Sequence, residues 1–217
     1  MPNITLTISS KTYSSWSLRG WLMTKMSGLP FEEIVTAPGD VSARAEILLL
    51  SPSILVPCLT YDEFRIWDTL AIGEFLNEIA PSAGLLPADL LPRAHCRAIC
   101  GEMHSGFGSL RAALPMNLKA NIPGFKVWSK AQADIDRITE IWRECLGLYG
   151  GPYLFGQPSL ADAMYAPVAT RLNTYNVAVD PVSQAYCDLI LSWAPMQEWR
   201  EGAMLENEEI EELEVEF

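Results

Sequence analysis

Apolar and polar positions alternate over NITLTI (3–8), the period of a strand with one buried face. A polar turn, SSKTYSS, follows, and SSWSLRGWLMTKMSG then carries apolar residues at helical spacing. Ser14 or Ser15 is a natural N-cap for that helix and Gly28 a stop. LPFEEIVTA (29–37) reads as a second strand, GDVSARAEILLLSP as a short helix ending before Pro52, ILVPCLTY as a third strand and FRIW as a fourth. The polar YDEF between the last two strands is tight enough for a hairpin. DTLAIGEFLNEIAP is a helix running to Pro81. The order over residues 1–81 is therefore βαβαββα, a layered α/β fold.

The pattern changes after Pro81. SAGLLPADLLP (82–92) has proline punctuation and no period, and reads as a linker. Residues 93–203 are helical throughout. RAHCRAICGEMHSGFGSLRAALP is predicted as one helix ending at Pro115, and SKAQADIDRITEIWRECLGLYG as another with a Gly-Gly stop. SLADAMYAPVATRLNTY is a third, with Pro167 expected to kink it. DPVSQAYCDLILSWAPMQEWREGAM supplies one or two more. The expected fold is an α/β domain followed by an all-α domain, with a tail at 204–217.

Composition narrows the class. Of 217 residues, 49% are hydrophobic and 19% charged, which marks a packed globular chain. The net charge of −12 argues against a nucleic-acid partner and against an anionic membrane surface. Seven of those charges sit in LENEEIEELEVEF, a stretch that reads as a solvated tail or as a docking segment through Ile210, Leu213, Val215 and Phe217. No run approaches the ~18 apolar residues of a membrane span. MPNITLTISSK is not a secretory signal. Cys58, Cys96, Cys100, Cys145 and Cys187 are odd in number and scattered, so they read as buried free thiols in a reducing cytoplasm and not as a metal site.

The stretch SILVPCLTYDEFRIWDTLAI (53–72) carries the chemistry. A proline in a strand belongs at an edge or a kink, where it leaves backbone groups unpaired. Asp68-Thr69 at a helix start places a carboxylate and a hydroxyl beside free backbone N–H groups. Together they look like a site for an extended, peptide-like ligand. In CGEMHSGFGSLRAALPMN, Glu102, His104, Ser105, Arg111 and Asn117 form a polar set, and His104 and Arg111 lie seven apart on one predicted helix face. Such a pair suits an anionic or carbonyl-bearing substrate, with Trp16, Trp21, Met103 and Phe107 as an apolar wall.

The element order, SPSILVPCL, WDTLAI and YLFGQPSLADA together resemble the cytosolic glutathione S-transferase superfamily, of the bacterial zeta- or theta-like serine kind. The resemblance covers the chain up to the acidic tail. It implies a thioredoxin-like domain at 1–81 joined through 82–92 to a helical substrate domain at 93–203. It implies a cis Val56-Pro57 bond whose backbone pairs with the cysteinyl part of glutathione, the co-substrate. Asp68 would hold the γ-glutamyl ammonium, and Thr69 with the helix N-terminus its carboxylate. The family often has Gly-Lys or Gly-Gln before Val-Pro, where this chain has Ile54-Leu55. Ser159 and Asp162 would form a structural capping box. The thiol-activating hydroxyl would come from the loop after the first strand. Aligned on Trp16 and Arg19 it falls on Thr12, and aligned as in theta-like enzymes on Ser15, with Ser14 beside it. Trp16, His104 and Arg111 would face the second substrate, while Arg19 reads as a structural helix residue. The implied activity is conjugation of the glutathione thiolate to a small electrophile, by a cytoplasmic homodimer. Cis–trans isomerisation of a small dicarboxylate and a non-catalytic interaction role are the alternatives.

Overall fold

The computed structural model describes residues 2–36 and 56–207. The expected helix at 39–52, the Ile54-Leu55 departure and the tail beyond Asn207 lie outside the described residues. Within them, four strands and eight helices follow one another: β1 (Ile4–Ile8), α1 (Ser15–Met26), β2 (Glu32–Val35), β3 (Cys58–Tyr61), β4 (Phe64–Trp67), α2 (Thr69–Ile79), α3 (Leu90–Ser105), α4 (Gly108–Ala113), α5 (Ser129–Tyr149), α6 (Leu160–Thr174), α7 (Pro181–Ser192) and α8 (Ala194–Met204).

The sheet has the order β2-β1-β3-β4. β1 pairs parallel to β2, with Leu6 beside Glu33, and antiparallel to β3, with Leu6 beside Leu59. β3 and β4 form an antiparallel hairpin, with Asp62 at φ 54 in its turn. Ile4, Leu6 and Ile8 alternate inward, as the sequence period requires. The third strand is shorter than its apolar run: it starts at Cys58, because Pro57 has no N–H to give a ladder. The peptide bond Val56-Pro57 is cis. α1 closes tightly on it at Gly20, where a Cβ would stand 2.7 Å from the Pro57 ring.

α1 also packs against α2, α6 and α8, so it joins the sheet layer to the helical layer. The helical core centres on Trp142, whose ring lies 4.8 Å from Tyr186 and 6.1 Å from Tyr165. α6 passes through this core. Ser159 and Asp162 form the capping box at its start, and it continues through Pro167 to Thr174.

Among the helices, too, the structure differs from the sequence pattern. α3 begins at Leu90, three residues before the expected start, because a proline in the first helical turn has no intrahelical N–H to lose. The predicted single helix ending at Pro115 is broken at Gly106-Phe107, with Phe107 at φ 58. The break is held from outside the segment: Asp134 of α5 accepts the Leu110 N–H at 2.8 Å. Pro181 and Pro195 each fall at the start of a helix, so the last predicted stretch is two helices. No helix among the described residues is long and apolar enough to cross a membrane. All five cysteines are free and buried.

Candidate active site

The site grows from the first turn of α1. Ser14 is the N-cap: its hydroxyl accepts the Ser17 N–H at 3.2 Å and donates to Ser17 Oγ at 3.0 Å. Ser15, the first helical residue, is 8% exposed, whereas Ser14 and Thr12 are 0% exposed. Ser15 Oγ accepts from Arg171 Nη2 at 3.3 Å and lies 3.4 Å from Arg19 Nη1. Both guanidinium groups have only donors, so they occupy the oxygen's lone pairs. The Ser15 hydrogen has no acceptor among the described residues. A hydroxyl with two cations at its oxygen, at a helix N-terminus, is a strong donor toward an anion such as a thiolate.

The guanidinium groups are themselves unusual. Arg19 Nε donates to the Met164 carbonyl at 2.8 Å, and Arg171 Nε to the Leu114 carbonyl at 2.8 Å. Arg111 donates to the carbonyls of Met103 and His104 at the end of α3, while its Nε has no hydrogen-bond partner among the described residues. Burial pushes the Arg171 pKa down to about 9, and the charge of Arg111 adds to the effect. Burial likewise lowers Arg111, against the pull of Asp134. Among the described residues, no hydrogen bond of Arg111 or Arg171 ends on a carboxylate. A buried cation held by neutral groups alone is costly, and an anion placed beside it would lower that cost.

Trp16 ties this cluster to the next part of the site. The Cζ atoms of Arg19 and Arg111 each lie 4.6 Å from its ring centroid, and the His104 ring lies 5.2 Å away. His104 Nε2 is 2.5 Å from Asp68 Oδ2. Asp68 is the N-cap of α2, its Oδ1 accepting the Leu70 N–H at 2.8 Å, and it holds φ 74. A non-glycine residue at positive φ carries a cost of order 1–3 kcal/mol, and such strain concentrates where a side chain must be aimed. Next to it, the Thr69 hydroxyl is buried and has no partner among the described residues.

The structure thus brings together Ser15, Trp16, Asp68, Thr69, His104 and Arg111, with Val56-Pro57 against the same helix at Gly20. His104 and Arg111 meet by a route other than the expected shared face: the helix breaks between them, and Arg111 folds back onto the end of α3. Thr12 is not in this group. Its hydroxyl donates to Glu206 at 2.7 Å, beneath the end of α8. Trp21 and Met103 belong to the core and not to an open wall; Trp21 packs 5.4 Å from Trp199. Glu102 pairs with Arg137, and Asn117 caps the N–H groups of Lys119 and Ala120. Arg171 was missed, although a lone Arg inside the apolar run ADAMYAPVATRL is a signal. Glu206 was missed because nothing sets it apart within the acidic tail.

Comparison with known proteins agrees with this architecture. The family model described as Glutathione S-transferase, N-terminal domain, matches residues 13–79, and that for the C-terminal domain residues 102–202. A Caenorhabditis elegans protein named "Probable maleylacetoacetate isomerase" is 27% identical over 169 residues, which is 77% of this chain and 78% of the relative. Among solved structures, a glutathione transferase homolog from a Burkholderia strain, with bound glutathione, superposes with a TM-score of 0.67 at 23% identity, over 93% of this chain and 98% of the other. A maleylacetoacetate isomerase from Anaeromyxobacter dehalogenans superposes at 0.68 with 22% identity, over 97% and 96%. With both domain types matched in order across most of its length, the chain belongs to the glutathione S-transferase superfamily.

Proposed function

We propose that the protein is a glutathione-dependent enzyme acting on a small, carboxylate-bearing electrophile, with Ser15 as the thiol-activating hydroxyl. The observation that carries this reading is the Ser15 hydroxyl itself, whose oxygen is occupied by Arg19 and Arg171 and whose hydrogen is left for a ligand. Glutathione would lie along Val56-Pro57, with its ammonium on Asp68 and its carboxylate on Thr69 and the start of α2. An ordinary thiol near pKa ~8.5 is mostly protonated at neutral pH. Donation from Ser15 and the partial positive charge of the helix N-terminus favour the thiolate.

The thiolate sulfur then adds to an activated double bond of the second substrate, and the electron pair moves to the substrate's carbonyl oxygen as an enolate. Arg111 and Arg171 are placed to balance the substrate carboxylate and this developing charge. Protonation of the adduct completes a conjugation. Rotation about the former double bond, followed by expulsion of the thiolate, completes a cis–trans isomerisation. The relatives named maleylacetoacetate isomerase favour the second outcome. The homodimer implied by the resemblance is part of the same reading, and exposed Phe64, Trp67, Leu90 and Leu91 supply apolar surface for it.

The test pairs two variants. Ser15→Ala lowers kcat/KM on the order of a hundredfold and removes the thiolate absorbance of bound glutathione. Arg171→Met weakens turnover of anionic electrophiles more than of neutral ones. Wild-type activity with equal preference for neutral and anionic electrophiles, unchanged in Arg171→Met, would sink the substrate class.

A further inference from the structure

The loop from Ser9 to Ser14 links β1 to α1 and carries no ladder, so its backbone donors must find partners elsewhere. Glu206, just past the end of α8, supplies the partner for two of them. Its Oε1 accepts the Lys11 N–H at 2.5 Å, and its Oε2 accepts the Thr12 N–H at 2.9 Å, the Thr12 hydroxyl at 2.7 Å and the Ser10 hydroxyl at 2.8 Å. An acceptor-only carboxylate is matched here by donors on both oxygens.

The contact also sets the polarity of the loop. Because Ser10 O–H points at Glu206, its lone pairs face the N–H groups of Thr12 and Tyr13, at 3.2 and 3.3 Å. The clamp has neighbours that hold it in place. Trp199 Nε1 donates to the Lys11 carbonyl at 2.9 Å, the Leu118 N–H donates to the Thr12 carbonyl at 3.2 Å, and Lys119 Nζ donates to the Glu206 carbonyl. The loop leads directly into the site: the Ser14 N–H donates to the Ser10 carbonyl at 3.0 Å, Ser14 caps α1, and Ser15 is the next residue.

We propose that Glu206 is a positioning residue: its carboxylate clamps the loop that places Ser15 against the glutathione thiol. This rests on the proposed function, and it deepens it by assigning a role to a residue 191 positions from Ser15 in sequence. The Glu206 carboxylate bonds Ser10, Lys11 and Thr12. Its effect reaches the thiol only through Ser10–Ser14, where a shift of about 1 Å costs on the order of a hundredfold in rate.

The test uses the full-length chain as Glu206→Gln and Glu206→Asp. The amide variant is informative because it keeps the size of the side chain but turns one oxygen into a donor that faces other donors. Amide hydrogen exchange at Lys11 and Thr12 is expected to quicken on the order of tenfold in Glu206→Gln. Glutathione affinity by calorimetry stays within about threefold, since Val56, Asp68 and Thr69 are untouched. The rise of kcat/KM with pH moves to higher pH, kcat falls about tenfold or more, and Glu206→Asp recovers part of both. Faster exchange with an unaltered kcat and pH profile overturns the positioning role and leaves a clamp that serves stability alone. Unaltered exchange overturns the clamp. Failure of the wild type to bind glutathione overturns the function above, while the exchange comparison still decides whether Glu206 holds the loop.

Discussion

Asp162 at the start of α6 is fully buried, and its carboxylate accepts from the Ser159 N–H and hydroxyl, the Leu154 N–H and the Tyr186 hydroxyl. Asp68 at the start of α2 is about a third exposed, caps one N–H, pairs with His104, and sits beside a Thr69 hydroxyl that has no partner among the described residues. The two helix starts use the same residue types. In the first, every acceptor site faces a donor of the protein, and the result is architecture. Burial pushes the Asp162 carboxyl up, and its hydrogen bonds pull the other way. In the second, acceptor capacity is left over on the carboxylate and the Thr69 hydroxyl has no partner among the described residues, which is what the proposed ligand site requires. Saturation of the polar groups separates them, and residue identity does not.

The largest effect is expected where saturation is complete. Asp162→Ala strands the Ser159 and Leu154 N–H groups and the Tyr186 hydroxyl, and is expected to cost about 3 kcal/mol of stability. Denaturant unfolding measures it, and a loss below about 1 kcal/mol would remove the contrast with Asp68. At the other helix start, Asp68→Asn keeps the cap and tolerates the positive φ while removing the charge. Stability is expected to hold within about 0.5 kcal/mol, and glutathione affinity to fall about tenfold, which is about 1.4 kcal/mol. An unfolding midpoint that drops as far as in Asp162→Ala would make both positions structural. Thr69→Val gives the smallest change: the fold gains up to about 1 kcal/mol, because a buried unpartnered hydroxyl is replaced by a methyl. Calorimetry should show glutathione binding a few-fold weaker in that variant. A destabilised Thr69→Val with full affinity would show that the hydroxyl serves the fold.

Local signals carried well into three dimensions. The alternation in NITLTI became β1, the Ser159–Asp162 spacing became a capping box, and Asp68-Thr69 became the start of α2. They succeeded because strand alternation, caps and helix stops are set within a few residues of themselves. Prediction failed where a distant group intervened. The segment from Arg93 to Leu114 has one helical period, yet Asp134 of another helix captures the Leu110 N–H and two helices result. Among Thr12, Ser14 and Ser15 the sequence favours the two serines, as closest to the dipole of the first helix, with Thr12 next, but a loop of small polar residues has no pattern that separates one serine from the other.

The amino-acid order by itself determined the two-domain architecture and the helix starts, and it singled out the residues proposed for a peptide-like ligand, since periodicity and capping are short-range. Only the tertiary structure set the different surroundings of Thr12, Ser14 and Ser15. It set Arg171 on Ser15 across 156 positions and Glu206 on Thr12 across 194. Such contacts are chosen by packing and by the need to satisfy buried polar groups, and those conditions exist only once the chain has folded.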